Sequence, residues 1–151
     1  MRTLQERRMM AEPDDDQRSV MAAIVADNAV SHARFLGNWA VLTAGDLESM
    51  VDKLPGESSS LANSWLAERQ IFHVVVAGNY VYPDFQFRAG RPLDGIASIL
   101  RTLPPTMSGW QIGLWFVGAN GWLGGRRPVD SLDDQQDLIN AAGHMADDWA
   151  G

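Results

Sequence analysis

The sequence of 151 residues contains no cysteine. Disulfides, thiolate nucleophiles and cysteine-based zinc sites are therefore excluded, and a reducing, cytoplasmic location is compatible with this. Long apolar runs are also missing. None follows the early arginines Arg2, Arg7 and Arg8, so no secretory signal is read there, and no stretch approaches a membrane span in length. Positive charge is scarce: 12 Lys and Arg stand against 19 Asp and Glu, a net charge of -7. A net anion is repelled by a phosphate backbone, which opposes non-specific nucleic-acid binding but leaves room for a local basic face.

Catalytic patterns are missing as well. His32, His73 and His144 are far apart and fall in no metal-ligand spacing. No nucleophile elbow or paired-acid motif occurs. The glycine-rich run from Gly118 to Pro128 lacks the G-x-G-x-x-G order, has no evident strand before it and no Lys-Ser/Thr pair after it, so it is read as a tight turn between helices. These absences predict a protein that is not an enzyme, with no cofactor and no metal, working by binding other macromolecules.

What is present divides into three segments. Residues 1–17 read as a flexible N-terminal arm, basic at first and then acidic through Asp14, Asp15 and Asp16. Residues 18–92 read as a helix-turn-helix-like region with a β-hairpin. A helix spans Arg18 to Leu36. Thr43 caps the next helix, with Asp46 three residues on and Leu47, Val51 and Leu54 along it. Pro55 and Gly56 break it, and Ser58 or Ser59 caps a helix carrying Leu61, Trp65 and Leu66. Phe72 to Val76 reads as a strand, Ala77-Gly78-Asn79 as a turn and Tyr80 to Tyr82 as the return. Residues 93–151 read as helical, with helices from Leu93 to Leu103, from Trp110 to Val117 behind a Ser108 cap, and from Ser131 to Trp149. The expected fold is mainly α: a small helical domain with a helix-turn-helix-like unit followed by one short β-hairpin.

Two surfaces follow from this layout. The helix-turn-helix order nominates Ser58, Ser59, Ser60, Asn63, Ser64 and Arg69 for DNA, although Arg69 is the one cation among them, where a DNA-reading helix leans on several. The alternative is a purely structural helical hairpin. The helix Trp110 to Val117 is apolar nearly all round, which suits a helix central in the core, the default reading, or one shared between the core and a partner surface. Trp110, Trp115, Phe116 and Trp122 are expected to form one aromatic cluster, with at least one ring reaching solvent or a partner. Arg126 and Arg127 are placed either against acidic groups of a partner or on the surface beside Asp130, Asp133 and Asp134.

The stretch from Trp110 onward resembles the C-terminal toxin-binding domain of the Xre/MbcA/ParS antitoxins. The residues that carry the likeness are Leu114-Trp115-Phe116, Asn120, Leu123, the turn Gly124-Gly125-Arg126-Arg127-Pro128, Asp130, Leu132 and a terminal helix with Leu138, Ile139, Ala142 and Met145. The block from Ile71 through Tyr82-Pro83-Asp84-Phe85-Gln86-Phe87 resembles a subgroup with an upstream helix-turn-helix-like region. The resemblance implies an antitoxin that occludes the active site of a RES-type, NAD-consuming toxin and autoregulates its operon. Toxin contacts are accordingly expected at Trp110, Trp115, Phe116, Asn120, Trp122, Arg126, Arg127, His144, Met145, Asp147, Asp148 and Trp149; Asp147 and Asp148 are read either as a carboxylate mimic of the pyrophosphate of NAD or as two solvated carboxylates at a frayed helix end. A DNA-binding regulator without a toxin is the alternative, and association with a second copy stays open.

Overall fold

The structure, a computed structural model, describes residues 15–54 and 61–150. Most of the expected arm, and the serines at 58 to 60, lie outside the described residues. The chain divides into two compact units, residues 1–34 and 35–151. Among the described residues the first consists of the greater part of helix α1 (Asp15–Asn38). That helix begins three residues earlier than the sequence pattern suggested and takes in residues 15–17, assigned above to the arm. No helix among the described residues is long and apolar enough to cross a membrane.

The larger unit is built around two cores. The smaller one starts at Thr43, which ends strand β1 (Val41–Thr43) and caps α2 (Ala44–Asp52). Its hydroxyl accepts from the Asp46 amide at 3.1 Å, and the Asp46 carboxylate accepts from the Thr43 amide at 3.0 Å. This reciprocal cap satisfies two orphan donors and fixes the angle at which the strand enters the helix. One turn of spacing places Leu47 and Val51 on the same buried face of α2. Helix α3 (Leu61–Ala67) buries Ala62 and Trp65 against them, and Ile71 and Tyr82 close the cluster.

Strands β2 (Val74–Val76) and β3 (Asn79–Pro83) form the expected hairpin. Ala77 and Gly78 turn it with φ of 50° and 80°, the type I′ geometry whose twist matches paired strands. β1, which the sequence reading passed over, pairs with the free side of β3, giving an antiparallel sheet of order β1-β3-β2. Strand, two helices and hairpin in that order, with the first strand beside the third, are the arrangement of a winged helix-turn-helix. The fold is thus mainly α with a small antiparallel sheet, as expected, and the hairpin is two-thirds of a three-stranded sheet.

The main core runs across residue 92. Phe72 and Val74 join Ile96, Ile99 and Leu100 of α4 (Asp94–Thr102), Ile112 and Phe116 of α5 (Gly109–Val117), and Leu138, Ala141 and Ala142 of α6 (Gln135–Ala150). Phe72 stacks on Phe116 with centroids 5.6 Å apart and planes at 7°. The Ser108 cap is present, reciprocated by Gln111. α5 meets the hairpin so closely that a Cβ on Gly109 would overlap the His73 carbonyl oxygen. The last helix starts at Gln135 instead of Ser131, because Pro128–Ser131 forms a separate 3-10 turn.

Two polar side chains are buried among the described residues, Gln86 and Ser131. Gln86 is fully buried. Its Oε1 accepts from the Phe72 amide at 2.9 Å, and its Nε2 donates to the carbonyls of Phe72 and Pro83, both at 3.0 Å. Replacing Gln86 by Leu keeps the volume and strands three buried backbone groups. Each costs about 1–3 kcal/mol, so Gln86→Leu should lower unfolding free energy by roughly 3 kcal/mol or more, read as a fall in the urea midpoint.

Candidate functional site

The loop after α5 is tied to itself by an unusual density of hydrogen bonds. The Asn120 side chain accepts from the Trp122 amide at 2.9 Å. The Asn120 carbonyl accepts from Leu123 and Gly125, and its amide donates to the Arg126 carbonyl. Gly124 and Gly125 have φ of 66° and 86°, a left-handed pair that a side chain would strain. Arg126 closes the loop from outside: Nε donates to the Leu123 carbonyl at 3.0 Å and Nη1 donates to Ser131 Oγ and Asp134 at 3.3 Å.

This frame holds Trp122 outward. The ring is 62% exposed and lies flat on His144 of α6, with centroids 3.4 Å apart and planes at 4°. A large apolar ring fixed on a rigid loop has little rotamer freedom left to lose on binding, the property that makes exposed tryptophans effective anchors.

The other nominated residues separate into groups. Phe116 is fully buried, so the expectation that it faces a partner is corrected: its ring is the centre of the main core. Trp110 is half-buried; its indole donates to the Val75 carbonyl at 2.9 Å and its ring meets Phe35 edge-on at 5.6 Å. Trp115 packs edge-on against Phe116 at 5.1 Å. The single aromatic cluster expected from the sequence is thus two: Trp110, Trp115 and Phe116 belong to the core and its margin, and Trp122 stands on the other side of the loop with His144. Met145 packs on the main core. Trp149 donates from its indole to Thr106 Oγ1 at 3.0 Å.

Arg126 and Arg127 take the surface arrangement. Arg126 meets Asp134 at 3.3 Å and Asp137 at 3.8 Å, and Arg127 meets Asp130 at 2.7 Å. All these side chains are about half exposed, so each pair contributes on the order of 1 kcal/mol or less. Arg127 also covers the face of Trp39, 5.3 Å from its centroid, a contact no sequence spacing signalled. Asp147 and Asp148 are exposed in the last turn of α6, which contains no basic residue. Carboxylates there oppose the helix dipole at a cost of about 0.3–1 kcal/mol.

On the winged unit, Asn63 and Ser64 face solvent beside Ala67 and Glu68. Arg69 follows α3 with φ 55°, a left-handed backbone costly for a side chain of its kind. The hairpin tip, Val75 to Tyr80, contains no cation. Among the described residues no group of His, Asp and Glu is placed to hold a metal ion.

His73 leads into the hairpin and stacks on Tyr80 at 3.9 Å. Burial lowers its pKa, and burial followed by the neighbouring Tyr80 raises that of Tyr82. A histidine whose folded pKa lies below its unfolded value near 6.5 adds stability that is complete above that value and lost as pH falls through the folded pKa. Stability should therefore decline as pH drops below about 6.5, and His73→Gln should flatten that decline in urea titrations at stepped pH.

No protein-family model and no curated protein matches the sequence. The structure is similar to a protein solved by NMR, Rv2175c, with a TM-score of 0.59 over 72% of this chain and 82% of that one, at 20% identity. The likeness is one of fold.

Proposed function

We propose that this chain is a non-enzymatic binding protein that covers the active-site cleft of a protein partner, in the manner of the Xre/MbcA/ParS antitoxins it resembles, the partner being a RES-type, NAD-consuming toxin. The observation that carries the reading is Trp122, 62% exposed on a loop braced by Asn120, Gly124, Gly125 and Arg126 and backed by the His144 ring. Asp147 and Asp148 add to it. They lie on the same helix as His144, they work against the helix dipole, and two carboxylates are the complement of the cationic groups that hold a pyrophosphate.

The winged unit favours a second reading, contact with operator DNA, on its strand and helix order alone. Its charge weighs against that. Residues 35–151 hold seven cations against thirteen carboxylates, and the exposed positions of α3 offer Asn63 and Ser64 with an opposing Glu68. Any affinity for DNA then depends on cations brought by a partner.

Co-expression with the candidate toxin tests the first reading. The wild-type chain should protect cells and co-purify with the toxin. Trp122→Ala should weaken the complex by about 2 kcal/mol or more, roughly thirtyfold, while the free protein loses only about 1 kcal/mol of stability because the ring is mostly in water. Full protection by Trp122→Ala, with Asp147→Asn and Asp148→Asn added, defeats the reading. A gel shift on the chain's own upstream DNA at low salt, with and without the toxin, decides the second: the free chain should show no retardation.

A further inference from the structure

The two cores of residues 35–151 leave a cleft of about 210 Å³ between them. Leu66 and Ile71 come to it from the smaller core, and Leu100 and Ile112 from the main one. An apolar cavity of about 150 Å³ takes benzene, and drug-sized ligands occupy roughly 300 Å³ or more. This cleft is therefore sized for an apolar body of about six to nine heavy atoms.

Of the residues that line it, Arg69 carries a permanent charge. Helix α3 ends in a Schellman motif: the Arg69 amide donates to the Leu66 carbonyl at 3.1 Å and the Gln70 amide to the Trp65 carbonyl at 2.8 Å. The motif places Arg69 on the cleft, in the left-handed position usually held by glycine. The carboxylate next to it in sequence, Glu68, is taken by Gln70, whose Nε2 donates to it at 2.6 Å. Arg88, Arg126 and Arg127 meet carboxylates at 3.3, 3.3 and 2.7 Å, whereas Arg69 meets none among the described residues. Arg101 of α4 brings a second positive charge close by, with Nη2 donating to the Glu68 carbonyl at 3.3 Å. The first turn of α5, at Gly109, adds the positive end of a helix dipole.

A cation beside apolar walls selects its ligand by chemistry. A neutral apolar molecule leaves the guanidinium unused, and inorganic phosphate gains nothing from the walls. A carboxylate on an apolar body uses both. The guanidinium fork binds the two carboxylate oxygens side by side, while the body displaces water from the side chains behind them.

We propose that this cleft is a binding site for a carboxylate carried on a small branched-aliphatic or aromatic body, with Arg69 as its anchor. Because its walls come from both cores, the bound acid ties the winged unit to α4 and α5. The site shares no residue with the surface placed above against a protein partner, so it stands or falls apart from that reading.

The test is titration of the isotope-labelled full chain with isocaproate, followed by amide NMR shifts. The amides of Ile71, Leu100 and Ile112 should shift and saturate with a dissociation constant on the order of 1 mM, the range open to so small a molecule. Isocaproamide, which has the same shape without the charge, should bind about tenfold more weakly or worse. Arg69→Gly should weaken isocaproate about tenfold or more. Glycine suits the left-handed position, so this variant should unfold at the urea concentration of wild type or a higher one, and its loss of binding is not a loss of fold. A tetrapeptide ending in leucine carries the same chemistry at a chain end. If it binds as tightly as isocaproate, the source is a peptide C-terminus; if it binds more weakly, the source is a free acid; either result upholds the site. The absence of saturable shifts up to roughly 20 mM isocaproate overturns the proposal. So does isocaproamide or inorganic phosphate acting on the same amides as tightly as isocaproate, or wild-type affinity in Arg69→Gly.

Discussion

A single buried amide ties the two cores together. Gln86 lies between the winged unit and the helices that follow it, and its three hydrogen bonds all end on backbone atoms of Phe72 and Pro83. Phe72 opens the hairpin and stacks in the main core on Phe116; Pro83 ends the strand that pairs with β1. An apolar residue at this position fills the space equally well but leaves the chain's direction at both points without an anchor, because dispersion contacts are not directional. The Gln86 carbonyl in turn accepts from the Leu93 amide at 2.9 Å, one residue before α4 begins. Gln86 thus fixes the hairpin against the helices by hydrogen-bond geometry, together with the Trp110 indole bond to the Val75 carbonyl.

Much of this fold was legible in the sequence for identifiable reasons. Thr43 with Asp46 and Ser108 with Gln111 are local capping signals, and the helices behind them start where those signals say. Ala77-Gly78 announced the hairpin. β1 was not legible: three residues long, it ends on the residue that caps the next helix, so no alternation could develop, and its partner lies 38 or more residues further along the chain. Gln86 was equally hidden, since a polar residue between two aromatics reads as loop until its neighbours are known. At the candidate site, composition could group Trp110, Trp115, Phe116 and Trp122 but not separate them. Their division depends on where the chain turns at Asn120, and that turn rests on bonds from Arg126 that reach three to eight residues along the chain without any fixed spacing motif. The stack of Trp122 on His144, twenty-two residues apart, has no sequence signature.

The arrangement of charge gives the winged frame its particular character. The two elements that in such a frame approach a duplex, the second helix of the pair and the hairpin tip, carry Asn63, Ser64 and Glu68 in one case and Val75, Asn79 and Tyr80 in the other. The arginines near the C-terminal loop are engaged with their own carboxylates, and Arg127 additionally with the Trp39 ring. The exposed polar groups of these elements are thus mostly hydrogen-bonding side chains and carboxylates.

The contact between α5 and β2 has a consequence for solubility. β2 is an outer strand of its sheet, and unpaired backbone on such a strand is a template on which another chain can add. Here the carbonyl of its central residue, Val75, is taken by the Trp110 indole, and the strand's approach is blocked where Gly109 abuts His73. An incoming strand would have to displace a helix before forming its first ladder bond. A valine-rich segment, Val74-Val75-Val76, with an exposed valine at its centre, is by composition the part of this molecule most inclined to cross-β association. Helix α5 acts as its gatekeeper, so a chain interrupted before residue 109 would expose the segment that α5 keeps closed.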